Sequence, residues 1–457
     1  VTDTSPAHDD RAQQAVTALR AQDIDVVRVV YPDLLGADRA RDVLVDHLPA
    51  AVRSGLTFCR AVYHTSPQSD VVPMPGGLAA GMPDISVRPD LETLCALPWE
   101  PGVAWCLGDA VDPATGEAAT ESPRDLLRGV LGRTAEGPRA VIGPELEYYL
   151  CERDASSATG WSPYGRAPGN VYSAGLRGDP DGHLLRTLRH LKGLGIGATA
   201  GNREFGSGQF EINLDHSAAL DAADRAFRFK SAVKEIARTE GRLATFMARP
   251  FNEEGGSGFH LHLSMVDADD RNVFEGRADG DADAHGLSGT ARHAIAGVLA
   301  HAPALTALLN PTINSYKRFG PDTLAPWLID WGLDNRSAMV RVPPERGDGT
   351  RLELRLGDAT ANPYLAVAGM VAAVGLGLRE KREPPEPLRG YGYQEGTAAR
   401  LPGTLGAALD ALEADADLTE VLGADFTRSF LAYKRNEIER FQQYVTDWEF
   451  KEYAALI

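Results

Sequence analysis

Cysteine, lysine and long apolar runs are all scarce in this chain of 457 residues. Its four cysteines, Cys59, Cys95, Cys106 and Cys151, include no CxxC pair, so neither a disulfide scaffold nor a thiolate zinc site is expected. A reducing, cytoplasmic setting is the expectation that follows. No stretch of about 18 apolar residues occurs, so no membrane span is expected. The opening VTDTSPAHDDRAQQ is acidic and polar, unlike a signal peptide. A formal net charge of −18 argues against nucleic acid and anionic membrane as partners. Also missing is the GxxxxGK[ST] phosphate loop. The nearest glycine-rich stretch, GLGIGATAG (193–201), follows a helical pattern and leads into a strand pattern. That order is the reverse of a dinucleotide turn, so a helix C-cap and turn is expected there.

What is present supports a folded, multi-part chain. Hydrophobic residues make up 43% of it, enough for a full core, and the length predicts two or three domains. Residues 24–45 read as strand, turn, strand. Ser122-Pro123 supplies a helix cap and first helical position. The boundary is expected close to residue 115, giving domains at 15–113 and 118–457. Residues 217–241 form a strong helical pattern ending in glycine. Phe426, Phe430, Tyr433, Ile438, Phe441, Val445 and Trp448 are spaced mostly by three or four, which predicts an amphipathic helix packed on a core. The tract GRADGDADAHG (276–286) resembles a calcium loop but lacks its glycine and terminal glutamate, so a solvated loop is expected.

Four short stretches pair an apolar face with a charged one. A strand sends alternate side chains to opposite faces. In GPELEYYL (143–150), Glu145 and Glu147 therefore oppose Leu146, Tyr148 and Leu150. In GSGFHLHLSM (256–265), His260 and His262 oppose leucines. RLELRL (351–356) sets Arg351, Glu353 and Arg355 against three leucines, and EFGSGQFEINL (204–214) sets Glu211 and Asn213 on one face, with Glu204 across a bend. If these faces line one cavity, five carboxylates and an imidazole repel one another unless cations are held among them. Carboxylate-rich, thiolate-free ligation selects Mg²⁺ or Mn²⁺. Arginines accompany the acids: Arg336, Arg341, Arg318, Arg351 and Arg355. Arginine forks suit phosphate and carboxylate, and metals with arginines point to phosphoryl transfer.

Together, GPELEYYL, EFGSGQFEI, GGSGFHLHLS, NSYKRF, NRSAMVRVP, RLELRLGDATANPYL and VTDWEFKEY resemble the class I glutamine synthetases, from about residue 20 onward. The resemblance implies an α+β fold: a small N-terminal β-grasp domain and a large catalytic domain with a curved antiparallel sheet and surrounding helices. It implies a homo-oligomer, usually a dodecamer of two hexameric rings, with active sites at subunit junctions. It implies Glu147, Glu204 and Glu211 as ligands of one metal, and Glu145, His260 and Glu353 as ligands of a second. Arg318 and Arg355 are implied as clamps for glutamate, Gly256 as the glycine beside that substrate, and Arg336, Arg341 and Arg351 as the phosphate-binding set. His262 and Ser264 are implied nucleotide contacts. The implied chemistry is phosphorylation of the γ-carboxylate of L-glutamate by ATP, then displacement of phosphate by a nitrogen nucleophile.

The chain departs from that family at the nitrogen. Where the family carries an aspartate for ammonium, this sequence has Cys59. Where it carries a flap glutamate six residues after Arg318, this sequence has Leu324, with Asp322 two residues out of register. Gly255 replaces an asparagine. An ammonium pocket needs compact negative charge; losing both acids removes it and adds room. The expectation is a ligase joining glutamate to a primary amine. The alternatives are an ammonia-using synthetase with a displaced base and a non-catalytic regulatory protein on the same fold.

Overall fold

The structure, a computed structural model, describes residues 6–74, 77–134, 137–165, 171–276, 283–321, 323–394, 396 and 398–457. Near the N-terminus lie helix α1 (Pro6–Arg20), strands β1 (Val26–Pro32) and β2 (Asp38–Leu44), helix α2 (Leu48–Ser54), and strands β3 (Leu56–Cys59), β4 (Asp84–Ala96) and β5 (Val103–Val111). β1 and β2 form the expected hairpin, with Val26 opposite Leu44. Its turn is fixed by Asp33, whose Oδ1 accepts from the backbone N–H of Leu35 and Ala37 at 2.9 Å each, and by Gly36 at φ +77°. The five strands run in the order β2-β1-β5-β4-β3, with β1 and β5 parallel. Val27, Val29, Tyr31, Val87 and Cys106 fill a core of their own.

Helix α3 (Pro123–Arg133) opens the larger part. Ser122 sits at its N-cap, but the hydroxyl donates to Asp125 Oδ2 at 2.7 Å instead of capping a backbone N–H. There follow β6 (Arg139–Arg153), β7 (Trp161–Pro163), α4 (His183–Leu194), β8 (Ala198–Arg203), β9 (Gln209–Leu214), β10 (Ser217–Ala218), α5 (Ala219–Thr239), β11 (Leu243–Thr245) and β12 (Phe259–Val266). Then come α6 (Gly289–Ala300), α7 (Ala302–Leu309), β13 (Trp331–Leu333), β14 (Val340–Val342), β15 (Leu352–Leu354), α8 (Pro363–Glu380), α9 (Leu405–Ala414), α10 (Ala416–Leu422), α11 (Ala424–Gln442) and α12 (Asp447–Tyr453). The glycine-rich 193–201 stretch is a helix end and strand entry, with Gly195 in the left-handed region closing α4.

The ten-stranded sheet has the backbone order β13-β14-β15-β12-β6-β9-β8, with β7, β10 and β11 also pairing with β6. It is antiparallel apart from β13 beside β14. β6 is long, at 15 residues, because its apolar positions Leu146, Tyr148 and Leu150 are all fully buried under α5 and its neighbours. The fold is thus α+β, with a curved mixed sheet and helices on its apolar side. Gly297 and Gly377 let α6 and α8 approach closely: a Cβ on Gly297 would sit 2.3 Å from Ala373 O. No helix among the described residues is long and apolar enough to cross a membrane.

The C-terminal stripe is not one helix. Phe426, Phe430 and Tyr433 are buried, but Phe441, Val445 and Trp448 are exposed. The chain breaks after Gln442, and Thr446 with Glu449 forms a capping box that starts α12. The calcium-like tract falls mainly on residues 277–282, outside the described residues.

Candidate active site

Register brings the acidic positions together. β6 lies between β9 and β12, so Glu145 faces Asn213 on one side and His260 on the other, and Glu147 faces Glu211. β15 then sets Glu353 opposite His262 on one flank and opposite Arg341 on the other. Period-two alternation puts all of these side chains on one face of the sheet, while leucines and aromatics fill the other.

Among the described residues, one trio converges closely enough to hold an ion: ligand atoms of Glu145, His260 and Glu353 all lie within 4.8 Å of one another. His260 Nδ1 is 2.7 Å from Glu145 Oε1 and 3.7 Å from Glu353 Oε1. Burial opposes ionisation of Glu145 and Glu353. Hydrogen bonds from His260 and His262 nevertheless hold Glu145 well below its usual range, and Arg355 and His260 hold Glu353 down at about 2.

Glu147, Glu204 and Glu211 are held by neutral donors, with no salt bridge to any of them among the described residues. Burial, then the neighbouring Glu147, pushes the Glu204 carboxyl up to about 7. Burial, then Glu145, Glu147 and Glu204, pushes Glu211 up to about 9. Glu147 itself accepts from Gln209 Nε2 at 2.8 Å and from the Gly258 backbone N–H at 2.9 Å. Carboxylates crowded to this degree fit a divalent cation as the missing counter-charge. The donor set of both groups, rich in oxygen with a single imidazole, fits Mg²⁺ or Mn²⁺.

A cleft of about 600 Å³ opens over Glu145, Glu211 and Glu353, with His262, Ser264, Arg336, Arg341 and Arg351 on its walls. Arg341 donates to Glu353 Oε2 and Asp334 Oδ1 at 2.6 Å each. Arg351 Nε lies 3.3 Å from His262 Nδ1 and its Nη1 donates to Glu345 at 3.2 Å. Arg355 is buried, bonded to Glu353, and donates from Nε to Arg336 O at 3.1 Å. Arg318 is buried and donates to Leu356 O at 3.4 Å. A Cβ built on Gly258 would stand 2.8 Å from His260 Nε2, 3.0 Å from Glu147 Oε1 and 3.2 Å from Arg318 Nη2. Arg318 thus abuts the acid cluster. Gly256 meets the same arginine, since a Cβ there would lie 2.6 Å from Arg318 Cγ.

The two departures from the family pattern end up in different places. Leu324 is exposed, has φ +58°, and accepts from Arg355 Nη2 at 3.5 Å through its carbonyl. Cys59 ends β3 of the small sheet, exposed, with Sγ 3.7 Å from Met82 O. No contact among the described residues joins Cys59 to the acid cluster. Asp322 lies outside the described residues. Sequence reasoning missed Gln209, Asn202 and Asp334, which orient Glu147, Glu204 and Arg341. Gln209 shares the β9 face of Glu211 and Asn213, and Asn202 stands two residues before Glu204, so alternation alone could have found both; Asp334 carries no such signal.

Residues 120–453 match the family model described as the glutamine synthetase catalytic domain. The chain is 34% identical over 462 residues, 98% of each chain, to a glutamine synthetase of Halobacterium salinarum, and 34% identical over 448 residues to one of Pyrococcus abyssi, covering 93% and 96%. Among solved structures, an apo GmaS without ligand superposes with a TM-score of 0.84 at 34% identity, covering 96% of this chain and 99% of that one. A GmaS–ADP complex gives 0.83, also at 34% identity with 96% and 99% covered.

Proposed function

Because the chain belongs to the glutamine synthetase catalytic-domain family of ATP-dependent ligases, we propose that it joins L-glutamate, activated by ATP, to a primary amine rather than to ammonia. The observation that carries this reading is Leu324, whose apolar side chain is exposed and whose carbonyl accepts from Arg355 Nη2, at the position where the family carries a proton-accepting glutamate. Cys59 makes the second such change. A cation the size of ammonium needs paired negative charge when desolvated; an amine with a carbon substituent gains from apolar wall instead. The structural neighbours named GmaS, glutamine synthetase-like γ-glutamylmethylamide synthetases, support an amine acceptor.

Glu145, His260 and Glu353 would hold one divalent ion, Mg²⁺ or Mn²⁺, and Glu147, Glu204 and Glu211 another. Bound there, such ions supply neutralisation and polarisation of phosphoryl oxygens. Arg318 and Arg355 seat the α-carboxylate of glutamate beside Gly256. Arg336, Arg341 and Arg351 hold the ATP phosphates, with His262 and Ser264 on the nucleotide. Asp334 and Glu353 fix the Arg341 fork, so its charge is preorganised where negative charge moves. A γ-carboxylate oxygen attacks the terminal phosphorus and the bond to ADP breaks. The amine nitrogen then attacks the acyl carbon, and the C–O bond to phosphate breaks with loss of one proton. Since Cys59 is not among the residues lining the cleft of its own chain, it would reach a neighbour's site in a dodecamer of two hexameric rings, each subunit divided between residues 113 and 118, in the cytoplasm.

One observation favours a second reading. Relatives of Halobacterium and Pyrococcus at 34% identity bear the name glutamine synthetase, so ammonia with a displaced base is the rival. ADP release with glutamate, ATP and Mg²⁺, measured against ammonium and a panel of alkyl and aryl amines, separates the two. An amine is expected to exceed ammonium in kcat/KM by at least about tenfold; turnover driven best by ammonium sinks the proposal.

A further inference from the structure

Beside α5, away from the catalytic cleft, lies a second cavity of about 590 Å³. Lys230, Lys234 and Arg238 reach it from one helix face, because four-residue spacing stacks side chains on an α-helix. Like charges at that spacing weaken a helix. They are also unusual in a chain with 64 acids to 46 bases. No carboxylate among the described residues pairs with any of the three; Arg242, at the cavity's edge, is by contrast bound to Asp181 and Glu240.

Lys230 is the strongest sign of a missing partner. It is 95% buried, given its 5% exposure. Its ammonium carries three donors, yet meets only Ala361 O at 2.9 Å and Thr360 O at 3.5 Å. Burial, then Lys234, pushes its pKa down to about 7. Both lysine nitrogens flank the Phe246 ring, at 5.5 and 5.8 Å from its centroid. The remaining wall carries Leu35, Leu243 and an exposed Met247 beside Thr245 and Thr360, and Glu235 also lines it, its carboxylate accepting from Trp99 Nε1 at 2.7 Å. Cations on one side and an aromatic-aliphatic wall on the other match a ligand with a charged head and an apolar body.

The cavity is tied to the acid-binding loop. Phe246 and Met247 lead into Ala248, whose carbonyl accepts from the Ser257 N–H at 2.8 Å. On the opposite wall Thr360 follows Ala359, whose N–H donates to Ser257 O at 3.1 Å. Ser257 stands between Gly256 and Gly258, both against Arg318. Filling the cavity therefore bears on the loop from two sides.

We propose that this cavity is a regulatory binding site for a small organic anion, a carboxylate or phosphate on an apolar or aromatic body, held by Lys230, Lys234 and Arg238. The probe is phenyl phosphate, titrated calorimetrically into the intact protein with its cleft filled by ADP and Mg²⁺; benzoate and inorganic phosphate serve as further arms, testing the carboxylate head and the need for an apolar body. Expected are saturable binding at one site per chain, affinity at least about tenfold lower in Lys234→Gln/Arg238→Gln, and unchanged binding in Arg341→Gln. Phenyl phosphate should shift the KM for glutamate in the parent but not in the double variant, whose turnover without probe stays at the parent level. Absent saturable binding, or equal affinity in parent and double variant, overturns the site. An unchanged KM with the cavity filled overturns its regulatory role.

Discussion

Gly258 shows how tightly the charged groups beside the cleft are set. Its missing side chain leaves just enough room for His260, Glu147 and Arg318 to meet around one backbone position. A methyl group there would have to displace His260 Nε2, which is fixed on its other side by Glu145 and Glu353. Gly258→Ala is therefore expected to fold, because φ at this position is not in the left-handed region, and to lose divalent-ion affinity by about 10–100-fold, the scale seen when a supporting residue around a metal ligand is disturbed. Manganese titration followed by electron paramagnetic resonance checks this, with circular dichroism as the folding control. Parent-like manganese affinity in a folded variant contradicts the placement. Lys230, Glu204 and Glu211 express the same physics with two signs: buried charge without a partner shifts until something supplies one.

At the scale of elements, strands and loops divide the work. β6, β9, β12 and β15 present the clustered acids and histidines from one face, whereas Leu324 sits on a loop held by Arg355 at its carbonyl and by Tyr393, whose hydroxyl donates to Ala325 O at 3.0 Å. The left-handed backbone at Leu324 costs about 1–2 kcal/mol, so the surrounding contacts must hold it in place. Leu324→Glu restores a carboxylate beside Arg355 and is expected to raise the ratio of ammonium-driven to amine-driven ADP release by about tenfold; an unchanged ratio removes this loop from amine selection. The same division explains what could be read in advance. The strands of the acid cluster were legible because alternation is a local property of the chain, and the convergence of Glu145, His260 and Glu353 follows from it once the strands pair. Asp334 was not, since it meets Arg341 seven residues on, at a spacing that no strand alternation marks. The break before α12 was legible in the Thr446–Glu449 spacing, but the apolar stripe running through it pointed to a continuous helix.

For the whole molecule, the two sheets are joined by buried ionic clusters. Arg60 and His64, just after β3, meet Glu121, just before α3, at 2.8 and 3.1 Å. Arg124 binds Asp90 and Asp109 of the small sheet and Asp224 of α5. Burial raises the Glu121 pKa, but His64 and Arg60 outweigh it and hold the carboxyl at about 2, against an ordinary 4.5. A folded pKa below the unfolded one means the unfolded chain takes up protons first. The pairing therefore stabilises fully above about pH 4.5 and is lost as pH falls towards about 2. Glu121→Gln is expected to cost up to about 3 kcal/mol near neutrality, with the difference from the parent closing over that window. Urea midpoints across pH test it; a difference independent of pH contradicts the assignment.

The length of β6 has a consequence for how such an enzyme can change over generations. Five strands hydrogen-bond to it besides its carrying Glu145 and Glu147, so a one-residue insertion would turn the glutamates into the apolar layer and Leu146, Tyr148 and Leu150 into the cleft. A change of register there would disturb both glutamates and the core at once. The loop at Leu324 and the strand end at Cys59 carry no such load on the sheet. Under the proposed amine chemistry, a change of nucleophile is therefore expected to show at those two positions while the β6 face stays as it is.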